Sequence, residues 1–280
     1  MLIELIALVS VVAAVLTCLG ANAFLVLTWL WLLPVSFLGT FLTLAILYFL
    51  FLWLCCALVD MDKPQEKDSK LYRWLFVWTA KAATQILLMK VHTRGLEKLP
   101  KQGRFLLVCN HIHDLDPVTL GAFFPKSQLA FISKRENDQK FLVGKILHMT
   151  LGQPINREND REALKTILNC VKILKEDKAS VMVFPEGYTS LDGLLHPFRP
   201  GVFKIAQKAE VPIVVCTLQN TNKPFKNIFK LKPTQVHLHL LEVIPAEEIK
   251  GVPTAQIAER VHKMMADDLG PDLVLPEQTT

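Results

Sequence analysis

Arg104-Phe105-Leu106-Leu107-Val108-Cys109 is a compact apolar run, followed at once by Asn110-His111-Ile112-His113-Asp114-Leu115-Asp116-Pro117. A short apolar segment bounded by polar residues reads as a buried strand, so the polar side chains emerge where that strand ends. Leu129–Ser133, Ser180–Phe184 and Pro212–Thr217 repeat the pattern, and Val236–Val243 alternates as an edge or half-buried strand does. Helical spacing fills the intervals. Leu164, Ile167, Leu168, Val171 and Leu174 form one stripe. A second helix is predicted from about Gly201 to Lys208, and a last from Thr254, as its cap, to about Asp268. Strands alternating with helices predict an α/β sheet covered by helices over residues 101–270, with 271–280 as a flexible tail.

Toward the N-terminus the character changes. Of the 280 residues 51% are hydrophobic, and no charged side chain lies between Glu4 and Asp60. An apolar helix needs about 20 residues to cross the hydrocarbon core, so this run is long enough for two. Pro34 is the expected break, giving helices from about Leu5 to Leu33 and Val35 to Val59, a transmembrane or re-entrant hairpin over residues 1–59. Each leg carries about fifteen strongly apolar side chains worth roughly −0.3 to −0.6 kcal/mol apiece for insertion. No Lys or Arg precedes the run, which argues against a cleaved signal peptide. Lys63, Lys67, Lys70 and Arg73 follow it, so the positive-inside rule predicts an integral membrane protein with its catalytic domain on the cytoplasmic face.

Residues 60–100 read as a basic linker plus an interfacial amphipathic helix, with Leu71, Trp74, Leu75 and Trp78 on one face. A lysine in mid-membrane costs roughly 2.5–3.5 kcal/mol, so Lys81 disfavours a third crossing. A core helix of the following domain is the competing reading.

The formal net charge is +5, and the part from Asp60 onward exceeds this by the one charge of Glu4. Such a surplus suits anionic head groups, phosphates, coenzyme A or an acidic carrier protein. It does not suit nucleic acid here, since no long Lys/Arg stripe with interleaved aromatics is present. The six cysteines show no C-x-x-C spacing and read as reduced, buried thiols facing the cytosol.

A histidine beside a carboxylate is the simplest general base, because the acid fixes the tautomer and stabilises the imidazolium. Spacing alone does not choose between His111 and His113, or between Asp114 and Asp116. A polar turn capping a helix explains the same residues. Val183-Phe184-Pro185-Glu186-Gly187-Tyr188-Thr189-Ser190 also follows a predicted strand, and Gly187 permits an unusual dihedral. Gly152-Gln153-Pro154-Ile155-Asn156-Arg157 ends in an arginine able to clamp a phosphate, and Val211-Pro212-Ile213-Val214-Val215 reads as core.

In order and spacing, these four clusters resemble the lysophosphatidate acyltransferase family of glycerolipid acyltransferases, over roughly Phe105 to Thr217. The resemblance implies a mixed α/β sheet covered by helices, with His111 as base and Asp116 as its partner. It also implies substrate-binding roles for Asn110, Lys134 and Arg157, and an acceptor site shaped by Glu186 and Gly187. The chain departs from the family's Thr-Arg-Ser after Glu-Gly, having Tyr188-Thr189-Ser190; Gly152 stands one residue closer to the arginine, and Asn156 replaces a common acid. Arg199 is a candidate to restore the missing positive charge.

The expected reaction moves a fatty acyl group from acyl-CoA or acyl carrier protein to lysophosphatidate, giving phosphatidate. Transfer is direct, without an acyl-enzyme, because a thioester is already activated. No cofactor or metal is expected, and His237 with His239 read as surface residues. Expected partners are the bilayer, the acyl donor and a lysophospholipid acceptor; oligomeric state is open. Another lysolipid acceptor, or a non-catalytic lipid-binding membrane protein, are the alternatives. A hydrolase is disfavoured, since no Gly-x-Ser-x-Gly elbow is present.

Overall fold

The computed structural model describes residues 1–25, 27–156 and 159–276, which fall into two compact units, Met1–Asp60 and Met61–Thr280. The first unit consists of α1 (Leu2–Gly20) and α2 (Trp29–Ala57), packed on each other and each long and apolar enough to cross a membrane. The turn does not fall at Pro34. It lies between Gly20 and Trp29, where Asn22 and Leu27 have positive φ. Pro34 sits in the second turn of α2, where the missing N–H removes one helical bond without ending the helix.

The second unit begins with α3 (Lys70–Ile86) and continues β1 (Met89–Arg94), β2 (Leu106–Cys109), α4 (Asp116–Phe123), β3 (Leu129–Lys134), α5 (Phe141–Met149) and β4 (Gln153–Ile155). It is completed by α6 (Asp160–Lys175), β5 (Ser180–Val183), α7 (Lys204–Ala209), β6 (Ile213–Gln219), α8 (Pro224–Ile228), β7 (Thr234–Ile244), α9 (Ala246–Ile249) and α10 (Thr254–Leu269). The strands form one mixed sheet in the order β1-β7-β6-β2-β5-β3-β4. From β4 to β6 every pairing is parallel; β7 runs antiparallel to β6, and β1 runs parallel to β7. The alternating stretch thus becomes an interior strand, with β1 as the edge. β1 and β4 are short or polar and carry no apolar run that would announce them.

Period-two alternation divides the core between the faces of the sheet. Leu106, Val108, Val181, Val183, Ile213 and Val215 meet Cys170 and Leu174 of α6, Ile205 of α7 and Val261 of α10. Leu107, Cys109, Phe131, Met182 and Val214 meet Leu120 and Phe124 on the other side. In α6 the buried stripe is Ile167, Cys170, Val171 and Leu174, whereas Leu164 and Leu168 face outward.

α3 packs one face on this domain. Tyr72, Leu75, Ala80 and Ala82 are buried, and the Phe76 ring packs against Phe131. Gly121 of α4 lets that ring approach, since a Cβ there would lie 2.4 Å from Phe76 Cζ. Arg73 ties the helix down, pairing with Asp68 at 2.7 Å and donating to the carbonyls of Leu129 and Thr150. Leu71 and Trp74 remain outward.

Residues 271–275 are not a loose tail. Pro271–Leu273 form a 3-10 turn, and Leu195 exchanges backbone bonds with Leu273 (2.7 Å) and Leu275 (3.1 Å). Those paired groups and the packing of Val274 on the core hold the segment. α10 is preceded by Pro253, with no side-chain cap from Thr254.

Candidate active site

Because β4, β3, β5, β2 and β6 are parallel, their C-terminal ends open on one side of the sheet, where α/β proteins build sites. His111 follows β2, Glu186 follows β5, and Thr221 follows β6. Before α4 starts, the chain turns so that Asp116, wholly buried, points back at the segment preceding it. Its Oδ2 accepts from the backbone N–H of Ile112 (2.7 Å), that of His113 (2.8 Å) and Nδ1 of His111 (2.8 Å). Its Oδ1 accepts from the Thr221 hydroxyl. Only an acceptor-only carboxylate satisfies this set of donors.

With Nδ1–H directed at Asp116, the other nitrogen of His111 is left as an acceptor. Nε2 lies 2.9 Å from the Thr189 hydroxyl. The ring stacks on Phe184 at 3.9 Å between centroids and 13° between planes, so it has little freedom to turn. His113 lacks such an arrangement. Its Nδ1 accepts from the Leu115 N–H at 3.1 Å, its ring lies against Phe225, and Asp114 is exposed.

Glu186 supports the backbone of the base. Its Oε1 accepts the His111 N–H at 2.7 Å, and Oε2 accepts the His196 N–H at 3.1 Å. Burial pushes its carboxyl up to about 7, while these two N–H groups pull it down and Asp116 adds a smaller upward push. The carbonyl of His111 accepts from the Ser190 N–H at 2.8 Å. The peptide on each side of the base is therefore anchored.

Asn110 is buried, and its amide spans to β6. Nδ2 donates to the Leu218 carbonyl at 2.9 Å, and Oδ1 accepts the Leu218 N–H at 2.8 Å. Through these two bonds the amide ties the end of β2 to β6 next to His111. Gly187 has φ +82°, and the side chain of Arg199 lies directly over it. Lys134 is exposed at the end of β3. Arg157 lies outside the described residues; the preceding Asn156 donates to Glu162 at 3.0 Å.

Thr221, Phe184 and Thr189 complete the environment of the dyad. Thr221 follows β6 in Asn220-Thr221-Asn222 and carries no motif of its own. His237 and His239 also differ from plain surface residues. His237 stacks on His92 at 5.4 Å between centroids, and His239 pairs with Asp268 at 3.0 Å.

A strand end that presents an imidazole, with one nitrogen fixed by an acid and the other facing a hydroxyl, can take a proton from a hydroxyl. The comparisons agree with that chemistry. The family model described as Acyltransferase matches residues 90–219. A 1-acyl-sn-glycerol-3-phosphate acyltransferase of Chlamydomonas reinhardtii is 32% identical over 188 residues, 66% of this chain and 54% of that protein. One of Saccharomyces cerevisiae is 30% identical over 190 residues, 66% of this chain and 61% of that protein. The chain thus spans little more than half the length of these relatives. The crystal structure of the 1-acyl-sn-glycerophosphate acyltransferase PlsC from Thermotoga maritima has the same fold, with a TM-score of 0.60 at 23% identity, covering 80% of this chain and 88% of that one. Residues 90–219 thus match the acyltransferase family, and the chain resembles the 1-acyl-sn-glycerol-3-phosphate acyltransferases.

Proposed function

We propose that the chain is a membrane-bound O-acyltransferase that moves a fatty acyl group from acyl-CoA or acyl carrier protein to the free hydroxyl of lysophosphatidate, giving phosphatidate. The observation that carries this reading is the 2.8 Å contact of His111 Nδ1 with buried Asp116, which leaves Nε2 as the proton acceptor. The acceptor hydroxyl displaces the Thr189 hydroxyl from Nε2 and gives up its proton as its oxygen attacks the thioester carbonyl. Collapse of the tetrahedral intermediate expels the thiolate, which takes the proton from His111. Asp116 stabilises the imidazolium between these steps. Arg199, over Gly187, and Lys134, at the end of β3, supply positive charge for the acceptor's phosphate, together with Arg157 of the same sequence cluster as β4.

The length and apolar character of the two N-terminal helices support a membrane anchor, and the basic residues after them support a cytoplasmic domain by the positive-inside rule. A different lysolipid acceptor is the second reading. Thr189, a neutral residue, occupies the place beside Nε2 where the family's arginine would fall in the sequence.

The test is acyl transfer from a labelled donor in membranes to a panel of lysolipids. His111→Ala is expected to lower the rate by roughly 10³-fold or more, as removal of a catalytic base does. Equal transfer by both proteins would remove the mechanism, and the product formed by the wild type identifies the acceptor.

A further inference from the structure

The segment between β6 and β7 reads Lys223-Pro224-Phe225-Lys226-Asn227-Ile228-Phe229-Lys230-Leu231-Lys232. It leaves the sheet at the end where His111 stands, because Gln219 closes β6 on that side. Two of its side chains are almost wholly in solvent, Phe229 at 89% and Leu231 at 81%, and Phe225 is 49% exposed. Lys223, Lys226, Lys230 and Lys232 are exposed around them, with no acidic residue in the segment.

This display is built into the fold. Asn227 Oδ-side geometry is fixed by its Nδ2 donating to Thr234 at 2.8 Å, and its carbonyl accepts the N–H groups of both Lys230 and Lys232 at 3.0 Å. Leu231 has φ +49°, a left-handed backbone that leucine rarely adopts, and it holds an apolar side chain outward. The neighbouring loop adds Leu191, almost fully exposed, and the two loops meet where a Cβ on Gly193 would lie 3.3 Å from Asn222 Nδ2.

Separate apolar prongs set among lysines, with no groove between them, match a bilayer surface. Phe and Leu enter the acyl boundary while lysine stems reach back to anionic head groups. We infer that the Lys223–Lys232 loop is a second membrane contact of this protein, inserting Phe229 and Leu231 into an anionic lipid surface beside the mouth of the site. Thr221, which holds Asp116, and Phe225, which touches His113, tie this loop to the base. The inference rests on the acyltransferase reading only for its purpose, which is to bring the mouth of the site to an insoluble acceptor.

The test uses the full chain reconstituted in vesicles, with a cysteine at position 229 carrying an environment-sensitive fluorophore. The six native cysteines are buried and do not compete for the label. Glu247→Cys, exposed at the opposite end of the sheet, is the control, and Leu231→Cys repeats the measurement should Phe229→Cys fail to fold. In phosphatidylglycerol vesicles with nitroxide-bearing acyl chains, the probe at 229 is expected to lose most of its emission, and the probe at 247 none. Quenching should weaken in purely phosphatidylcholine vesicles and with Lys230→Glu and Lys232→Glu together. Unquenched probes at 229 and 231, or equal quenching at 247, overturn the inference. So does a shift produced only by an added acidic protein, which would indicate a protein partner. The readout needs no turnover, so quenching should persist in His111→Ala. An inactive but quenched protein would count against the reaction alone, and an active, unquenched one against the loop alone.

Discussion

The hydroxyl of Thr189 stands 2.9 Å from Nε2 of His111, in the place that the proposed reaction gives to the acceptor hydroxyl. Substrate and side chain compete for one lone pair. A neutral hydrogen bond has a net worth of about 0.5–1.5 kcal/mol. Thr189→Val keeps the shape and removes the competitor, so the KM for the acceptor should fall by about 2- to 10-fold. A KM that rises instead would mean that Thr189 helps to hold the substrate.

Asp116 gathers four donors from two stretches of chain, residues 111–113 and Thr221. An amide in its place turns an N–H₂ toward one of them and loses the charge that favours imidazolium. Asp116→Asn is expected to lower kcat by about 10³- to 10⁴-fold, as amide replacement of a catalytic triad acid does. Thr221→Val leaves Oδ1 without its buried partner, at a cost of about 1–3 kcal/mol in stability. Chemical denaturation checks the second figure, and a loss below half a kcal/mol would show Thr221 to be incidental.

Glu186 links stability to pH. Its carboxyl is at about 7 in the folded chain against an ordinary 4.5, so the fold prefers the protonated form. That contribution is complete below pH 4.5 and is lost as pH rises through 7; the shift corresponds to at most about 3 kcal/mol. Glu186→Gln cannot ionise, and its amide satisfies only one of the two N–H donors. The variant should be less stable than wild type at pH 5 and should approach it by pH 8. Parallel stability curves would contradict this.

Arg199 is held over Gly187, with its backbone N–H on the Pro185 carbonyl at 2.8 Å. A charged donor to a phosphate is worth about 1.5–3 kcal/mol, so Arg199→Ala should raise the acceptor KM by about 10- to 150-fold. Steady-state kinetics with varied acceptor checks it; an unchanged KM removes Arg199 from the phosphate site.

Much of the fold was legible wherever an apolar run had no other use. β2, β3, β5 and β6 are such runs, and their parallel order puts His111 and Glu186 together. The hairpin turn was misplaced because proline was taken as a helix end, whereas α2 gives up one N–H bond at Pro34 and continues through it. For α3, spacing groups Leu71, Trp74 and Leu75 on one apolar face, and the packing of Leu75 and Phe76 on the domain was not legible because it depends on the notch at Gly121, far along the chain. In the site, the dyad residues were readable as a cluster. Thr221 lies 105 residues from Asp116, and no local pattern carries such a contact.

The stretch after Gly270 has a mechanical meaning. Leu273 and Leu275 grip Leu195; the next residue, His196, holds one oxygen of Glu186, whose other oxygen holds His111. The turn at Pro271–Leu273 works as a strut under the imidazole, although it is remote in sequence. Anything that tugs on residues 271–276, such as a fused partner on a short tether, therefore pulls on His111.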